Sequence, residues 1–310
     1  MHSYKIFSDS ACDLPSAYTT QYDIGIVPYS VSFGDEKYYK EILELKPADF
    51  YQKIVSQHIF PKTSLPSIQD YIDAFEPVLK SGKDIICVCL TAKFSGSYQS
   101  ALNAKNILSE NYTDRTIEII DSRQATGGQG LLLYEMAQMQ LACYPLQKVV
   151  IEAKKLRDTA KINFTVESLD YLQKGGRIGK AGALAGTILN IKPIIEMTQG
   201  ELHPAGKVRG FKKAVKTIID MTEKEIGTEA EKYRLCIISA QKMENAMELK
   251  KALQQNIKYD ILEIPFQVGV TIGAHAGPTA LGICYIKNIH NCNQNHRLSR
   301  WFVLPLEGAF

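Results

Sequence analysis

The chain has 310 residues, of which 45% are hydrophobic and 22% charged, and its formal net charge is +3. This length allows two domains with substantial cores, and the charge is too small to predict a nucleic-acid partner. The residues from Met1 to Lys5 lack the apolar core of a signal peptide, and no uncharged apolar run is long enough to span a membrane. The seven cysteines show no disulfide or zinc spacing, so we predict a cytoplasmic protein.

The first half of the sequence alternates strands with helices. The predicted strands are residues 4–8, 24–33, 85–90 and 116–120, and the predicted helices are residues 47–57, 68–79, 97–108 and 130–140. This alternation is typical of a parallel sheet wrapped by helices. Such sheets bind ligands beyond the carboxyl ends of their strands, so we expect a site built from the loops at residues 9–13, 92–97 and 121–130.

A charged helical stretch between residues 148 and 161 predicts a domain boundary. Beyond it we predict strands at residues 162–166, 193–197, 201–204, 235–240 and 280–287, helices at residues 169–173 and 183–189, and a helix starting at Phe211. The predicted fold is therefore α/β with two domains: an N-terminal parallel-sheet domain (residues 1–155) and a smaller C-terminal α/β domain (residues 156–287). Residues 288–310 form an extension of unknown role.

Two polar clusters, at residues 63–67 and 94–97, each lie at the mouth of a predicted helix. They offer small neutral hydrogen-bond donors without an adjacent acid, base or metal ligand. The first N–H groups of a helix are unpaired and carry a partial positive charge, so they stabilise a bound carboxylate or phosphate. The clusters predict a socket for an anionic head group; the alternative is that the serines are ordinary helix caps.

Other motifs argue against nucleotide and metal chemistry. The glycine-rich run at residues 174–182 has Lys174 where a P-loop needs its first glycine and Ala181 where it needs Ser or Thr. The group His290, Cys292 and His296 matches no standard metal site, so neither a metal nor a cofactor is predicted. His275 lies between glycines, which permit close approach of a ligand. It is either a third ligand-facing donor or a histidine satisfied by the backbone of its loop.

Several motifs together resemble the DegV family. They occur in the family's order and cover roughly residues 3–287. They are Ser8-Asp9-Ser10-Ala11-Cys12-Asp13-Leu14-Pro15, Thr63-Ser64-Leu65-Pro66-Ser67, the segment from Leu90 to Ala101, Asp121-Ser122-Arg123-Gln124-Ala125, Leu172-Gln173-Lys174-Gly175-Gly176-Arg177-Ile178 and His275-Ala276-Gly277-Pro278. The resemblance implies a protein that is not itself an enzyme and that buries a long-chain fatty acid, such as palmitate, between its two domains. It also implies a partner, a separate ATP-dependent fatty acid kinase that converts the presented carboxylate to an acyl phosphate.

The resemblance also implies roles for individual residues. Thr63 and Ser95 match the family's head-group ligands, with His275 nearby, and the rest of the two polar clusters (Ser64, Gly96 and Ser97) is assigned to the same fatty-acid site. Arg177 and Arg209 match positions associated with docking of the kinase; the alternative is that either arginine forms a structural ion pair. The acyl chain is expected to run beside residues 183–189.

A different class of function remains open at the level of sequence. Ser95 could act as a nucleophile with His275 as its base, in a hydrolase or transferase acting on a small molecule.

Overall fold

The protein is described by a computed structural model over residues 3–34, 37–184, 190–255 and 259–289. Its mixed sheets and surrounding helices confirm the predicted α/β class. Within these residues no helix is both long and apolar enough to cross a membrane.

The first half of the chain contains a parallel sheet and a small antiparallel sheet. Its strands are β1 (Tyr4–Asp9), β2 (Gly25–Val27), β3 (Ser30–Ser32), β4 (Tyr39–Lys40), β5 (Lys62–Ser64), β6 (Asp84–Cys89) and β7 (Ile117–Asp121). Its helices are α1 (Ser16–Gln21), α2 (Pro47–Gln57), α3 (Ile68–Lys80), α4 (Ser97–Asn111), α5 (Thr126–Leu141) and α6 (Leu146–Leu156). The parallel sheet has the order β2-β1-β6-β7, and the antiparallel sheet has the order β4-β3-β5. All six residues of β6 are buried, as expected for a strand covered on both faces.

The second half forms a mixed sheet. Its strands are β8 (Lys161–Thr165), β9 (Ile191–Thr198), β10 (Glu201–Arg209), β11 (Tyr233–Ser239), β12 (Asp260–Ile261), β13 (Phe266–Gln267) and β14 (Leu281–Lys287), and its helices are α7 (Asp170–Lys174), α8 (Phe211–Ile226), α9 (Met243–Gln254) and α10 (Val270–Ala276). The strand order is β10-β9-β8-β14-β11-β12, and β13 also pairs with β11. Strand β14 is antiparallel to both of its neighbours, β8 and β11.

Helix α5 lies between the parallel sheet and the mixed sheet. It contacts β1 and β6 on one side and β8, β11 and β14 on the other. Twelve of its sixteen residues are buried, which is the state expected of a helix that is apolar all round. One hydrophobic core therefore runs through both halves of the chain.

The single strand predicted at residues 24–33 is two separate strands in the structure. Pro28 lacks an N–H group and so cannot continue the hydrogen-bonded ladder. The segment accordingly divides into β2, in the parallel sheet, and β3, which pairs with β5. The cap of α3 is Ser67, in a capping box with Asp70, so Thr63 and Ser64 belong to a strand and not to the helix start.

Two further predictions fall partly outside the described residues. A single 3-10 segment, Gly179–Leu184, reaches into the predicted helix 183–189, whose residues 185–189 are not described. Of the predicted extension, only Asn288 and Ile289 are described. The domain boundary after residue 155 would fall in the last turn of α6 and remains a prediction.

The first turn of α5 generates a prediction about stability. A Cβ atom added at Gly127 would lie 2.7 Å from Cys236 Sγ and 2.8 Å from Cys284 Sγ, both buried in the mixed sheet. Gly-to-Ala changes inside helices normally stabilise by about 0.5–1 kcal/mol. Here we expect Gly127→Ala to destabilise the protein by about 1–3 kcal/mol, because a packed core cannot absorb the added volume. Urea unfolding measures the change.

Gly182→Ala is the matched control, since its added Cβ would only meet Ile178 Cγ2 at an ordinary 3.9 Å. If Gly127→Ala were as stable as the wild type, the close packing of α5 on the mixed sheet would be refuted.

Candidate functional site

A cavity that is partly open to solvent lies between the loops at the carboxyl edge of the parallel sheet and the mixed sheet. The mixed sheet and its flanks provide most of the apolar wall, through Ile162, Phe164, Met197, Leu202, Ile238 and Ala280. The loops after β6 and β7 contribute Leu90, Phe94 and Ala125. The site is thus assembled from both halves of the chain.

A chain of contacts brings the polar side chains of the cavity together. Tyr29 is hydrogen-bonded to Ser95, and Thr63 is hydrogen-bonded to His275. Arg177 lies near both pairs. It donates to the backbone carbonyl of Phe94, the residue before Ser95, and its charge lowers the pKa of His275. All five side chains line the cavity. We call them the head end.

Thr63 and Ser64 are separated by the alternation of strand β5. Consecutive side chains of a strand point to opposite faces. Thr63 lines the cavity, whereas Ser64 is exposed and does not line it. The hydroxyls of Thr63 and Ser64 therefore point to opposite faces of the strand. Of these two residues, Thr63 is the one that faces the cavity.

Ser95 and Ser97 also have different surroundings. Ser95 Oγ accepts hydrogen bonds from the Tyr29 hydroxyl (2.7 Å) and from the Ser97 N–H (3.2 Å). Ser97 is fully buried, and its hydroxyl donates to Asp9 Oδ2 at 2.7 Å. Since that donation uses the only hydrogen of the Ser97 hydroxyl, the hydroxyl of Tyr71, 2.6 Å away, donates to Ser97. Ser97 does not line the cavity, but its N–H contacts Ser95, which does.

Asp9 holds the loops beneath the head end. Its carboxylate accepts from the Leu90 N–H, the Ser97 hydroxyl and the Gln129 amide. Burial raises the pKa of Asp9 to about 6, against the lowering effect of these hydrogen bonds. The carboxylate thereby joins β1 to the loop after β6, to α4 and to α5.

His275 provides a neutral group at the head end. Its Nε2 lies 2.9 Å from Thr63 Oγ1. Its Nδ1 is buried and has no hydrogen-bond partner among the described residues, and it faces Gly175, where an added Cβ would come within 2.2 Å. Burial, and secondarily the charge of Arg177, lower the pKa of His275 to about 4, so the ring is uncharged at neutral pH.

The two predicted docking arginines have different environments. Arg177 lines the cavity, and it donates to the backbone carbonyls of Phe94 (3.1 Å) and Gly175 (2.7 Å); the bond to Phe94 joins the two halves of the chain. Arg209 ends β10 and is exposed, and its side chain shows no hydrogen bond or ion pair with another described residue. The sequence left open that either arginine forms a structural ion pair. Arg177 does have structural contacts, but they are hydrogen bonds to backbone carbonyls.

Other predicted positions lie away from the cavity. Gly96 is exposed at the start of α4 and does not line the cavity, which leaves its predicted contact with the ligand without support. Ala183 and Leu184 do not line it either, and residues 185–189 are not described. The expected path of the acyl chain beside residues 183–189 therefore stays a prediction.

The structure adds Tyr29 and Asp9 to the site. An isolated tyrosine in a predicted strand gave no signal in the sequence. Asp9 belongs to a polar motif after β1, but its partner Ser97 is 88 positions away.

Catalytic chemistry finds little support at this site. A serine nucleophile needs a base within hydrogen-bond reach. The hydrogen bonds of Ser95 go to Tyr29 and Ser97, and that of His275 goes to Thr63, so no Ser95–His275 pair exists among the described residues. The described part of the chain also contains no cluster of three or more His, Cys, Asp or Glu side chains that could hold a metal ion.

Comparison of sequences identifies relatives over nearly the whole chain. A sequence model described as an uncharacterised protein of the DegV family matches residues 3–288. A DegV domain-containing protein of Caldanaerobacter subterraneus is 35% identical over 285 residues, which cover 92% of this chain and 99% of that protein.

Solved structures share the fold. A protein of Eubacterium ventriosum, described as binding stearic acid, has a TM-score of 0.88 and 34% identity, and the match covers 93% of this chain and 99% of that chain. A DegV family protein of Thermus thermophilus, described as binding fatty acid, has a TM-score of 0.83 and 26% identity, with 93% and 100% covered. With sequence and fold both matched over more than nine-tenths of its length, this chain belongs to the DegV family.

Proposed function

We propose that this protein binds a long-chain fatty acid, with the carboxylate at the head end and the acyl chain along the apolar wall of the cavity. The observation that carries the proposal is the division of one cavity into a cluster of hydroxyl donors and a largely apolar remainder. The descriptions of the Eubacterium ventriosum and Thermus thermophilus proteins as fatty-acid-binding proteins support it.

Burial of the acyl chain can supply the affinity. At roughly 0.8 kcal/mol per buried CH₂, about fifteen methylenes give a gross transfer free energy on the order of 12 kcal/mol, before the entropic cost of binding. The polar groups then need only to satisfy the carboxylate, because a buried charge without partners is very costly. The hydroxyls of Thr63 and Ser95 suit this role, and His275 supports it through its hydrogen bond to Thr63.

We further propose that the protein is a carrier and that a separate kinase phosphorylates the bound carboxylate. Thr63 and Ser95 offer neutral donors, whereas the hydrogen bonds of Arg177 go to the backbone carbonyls of Phe94 and Gly175. Neutral donors leave the carboxylate more reactive than a salt bridge would, since an arginine paired with it would oppose its attack on a phosphoryl group. Arg209 is exposed and precedes the lysine-bearing helix α8, so it offers a basic surface to a nucleotide-binding partner. Free cysteines at six described positions support a location in the reducing cytoplasm.

Native mass spectrometry tests the binding function directly. Protein purified from cells without added lipid is expected to carry a mass equal to one fatty acid, which organic extraction removes. A species free of lipid that also fails to bind added palmitate would refute the proposal.

Removal of a head-end hydroxyl is expected to weaken binding without unfolding the protein. Thr63→Ala and Ser95→Ala each delete one hydrogen bond to a charged acceptor, worth about 1.5–3 kcal/mol. Titration with a fluorescent fatty acid measures the affinity, and thermal melts monitor the fold.

Ser64→Ala is the matched control for Thr63→Ala. Its hydroxyl is the next one along β5 but is exposed, so we expect wild-type affinity. Unchanged affinity in the double variant of Thr63 and Ser95 would contradict the placement of the carboxylate.

Docking of the kinase is tested at Arg209. We expect Arg209→Ala to keep the fatty-acid affinity and to slow acyl-phosphate formation by an added fatty acid kinase, and the defect should deepen with salt, which screens the remaining charges. Lys251→Ala removes the same charge from an exposed position of α9 and serves as the control. Arg177→Ala should also slow turnover, but its hydrogen bonds to Phe94 and Gly175 make it the less specific variant. Wild-type turnover by Arg209→Ala would show that Arg209 does not belong to the docking surface.

A further inference from the structure

The hydroxyl of Ser95 has both of its acceptor positions occupied by the protein. A serine hydroxyl has one hydrogen to donate and two lone pairs that accept. Tyr29 Oη donates to one lone pair at 2.7 Å, and the Ser97 N–H donates to the other at 3.2 Å. The hydrogen of Ser95 must therefore lie in the remaining direction, which is the one left for a ligand in the cavity.

Tyr29 is held in place as the donor to Ser95 Oγ. Its side chain is 2% exposed, and burial raises its pKa well above the usual value, so the phenol keeps its proton. Its backbone is fixed on both sides, because its N–H donates to Ser10 Oγ and its carbonyl accepts from the Glu41 N–H. Ser95 is the hydrogen-bond partner of its hydroxyl.

The hydroxyl of Thr63 follows the same logic. Nδ1 of His275 lies against Gly175 and has no acceptor among the described residues, so a proton there would be a buried, unpaired donor, which is costly. The neutral ring therefore carries its proton on Nε2 and donates it to Thr63 Oγ1, 2.9 Å away. The hydrogen of Thr63 is then free for the ligand as well.

We infer that Tyr29 is a positioning residue which, together with His275, turns the hydroxyls of Ser95 and Thr63 into donors toward the ligand. The site therefore takes a head group that only accepts hydrogen bonds, as a carboxylate does, and discriminates against head groups that carry N–H or O–H donors. This inference rests on the proposed function. It adds that the ligand is selected by the direction of the hydrogen bonds, with the protein donating and the ligand accepting, and not by charge alone.

The test compares palmitate with palmitamide at pH 8. Their head groups have nearly the same shape, but the amide places an N–H donor against the donors of the site. In Tyr29→Phe one lone pair of Ser95 is released, so the hydroxyl can rotate and accept from the amide. We expect the ratio of amide to acid dissociation constants to fall by up to about tenfold, the upper end of the range for a hydrogen bond between neutral groups. Displacement of a fluorescent fatty acid measures both constants.

Tyr4→Phe is the matched control, because it removes a buried tyrosine hydroxyl that donates to the Tyr144 carbonyl outside the cavity lining. Its ratio should equal that of the wild type. An unchanged ratio in folded Tyr29→Phe, with palmitate still bound, would overturn the positioning role and leave the binding function intact. Wild-type protein that binds neither ligand would instead refute the proposed function.

A second measurement needs no variant. Heptadecan-2-one replaces the amide NH₂ of palmitamide by a methyl group and so presents an acceptor only. Wild-type protein is expected to bind this ketone more tightly than palmitamide. Equal or tighter binding of the amide would overturn the inference even if Tyr29→Phe did not fold.

Discussion

Close contact between helix α5 and the mixed sheet determines the geometry of the whole molecule. Gly127 brings the helix backbone against Cys236 and Cys284 with no space for a side chain. At the other end of the helix, the fully buried Glu135 accepts from Arg234 of β11 and from the Ile289 N–H. Because one helix separates the two sheets, the loop that enters it is held at their junction, and Ala125 and Thr126 of that region line the cavity.

The head end depends on hydrogen bonds that converge from distant parts of the chain. Asp9 supports Ser97 and Gln129, Ser97 supports Ser95 through its N–H, and Tyr29 fixes the Ser95 hydroxyl. A buried network of this kind is stabilising only when its members are satisfied. Among the described residues of the head end and this network, two buried side-chain atoms have no hydrogen-bond partner, Nδ1 of His275 and Oε1 of Gln129.

Local patterns in the sequence were sufficient to predict most of the elements. Helix α2 has its predicted bounds, and the buried run of β6 and the helix that follows it lie as expected. The family and the α/β class also followed from motifs that are contiguous in the sequence. Pairing between distant segments could not be predicted in this way. Thr63 looked like part of a helix start because its partner strand, β3, lies 32 residues away at Val31.

The same limit explains which site residues were predicted. Thr63, Ser95 and His275 occur in recognisable motifs, and all three line the cavity. Their neighbours Ser64, Gly96 and Ser97 share those motifs but do not line it, because strand alternation and the bond to Asp9 direct them elsewhere. Tyr29 carries no motif, and its role depends on a partner 66 positions away.

The two halves of the chain contribute different properties to the site. Most of the apolar wall comes from the mixed sheet, so the free energy of binding should depend chiefly on the packing of those strands. The hydroxyls and the tyrosine that orients one of them come from the first half. Only His275 and Arg177 cross from the second half to the head end, and both also contact the first half directly. Under the proposed function, affinity for the acyl chain and selection of the head group can therefore vary separately among relatives. The contacts of His275 and Arg177, by contrast, require both halves of the protein to be in place.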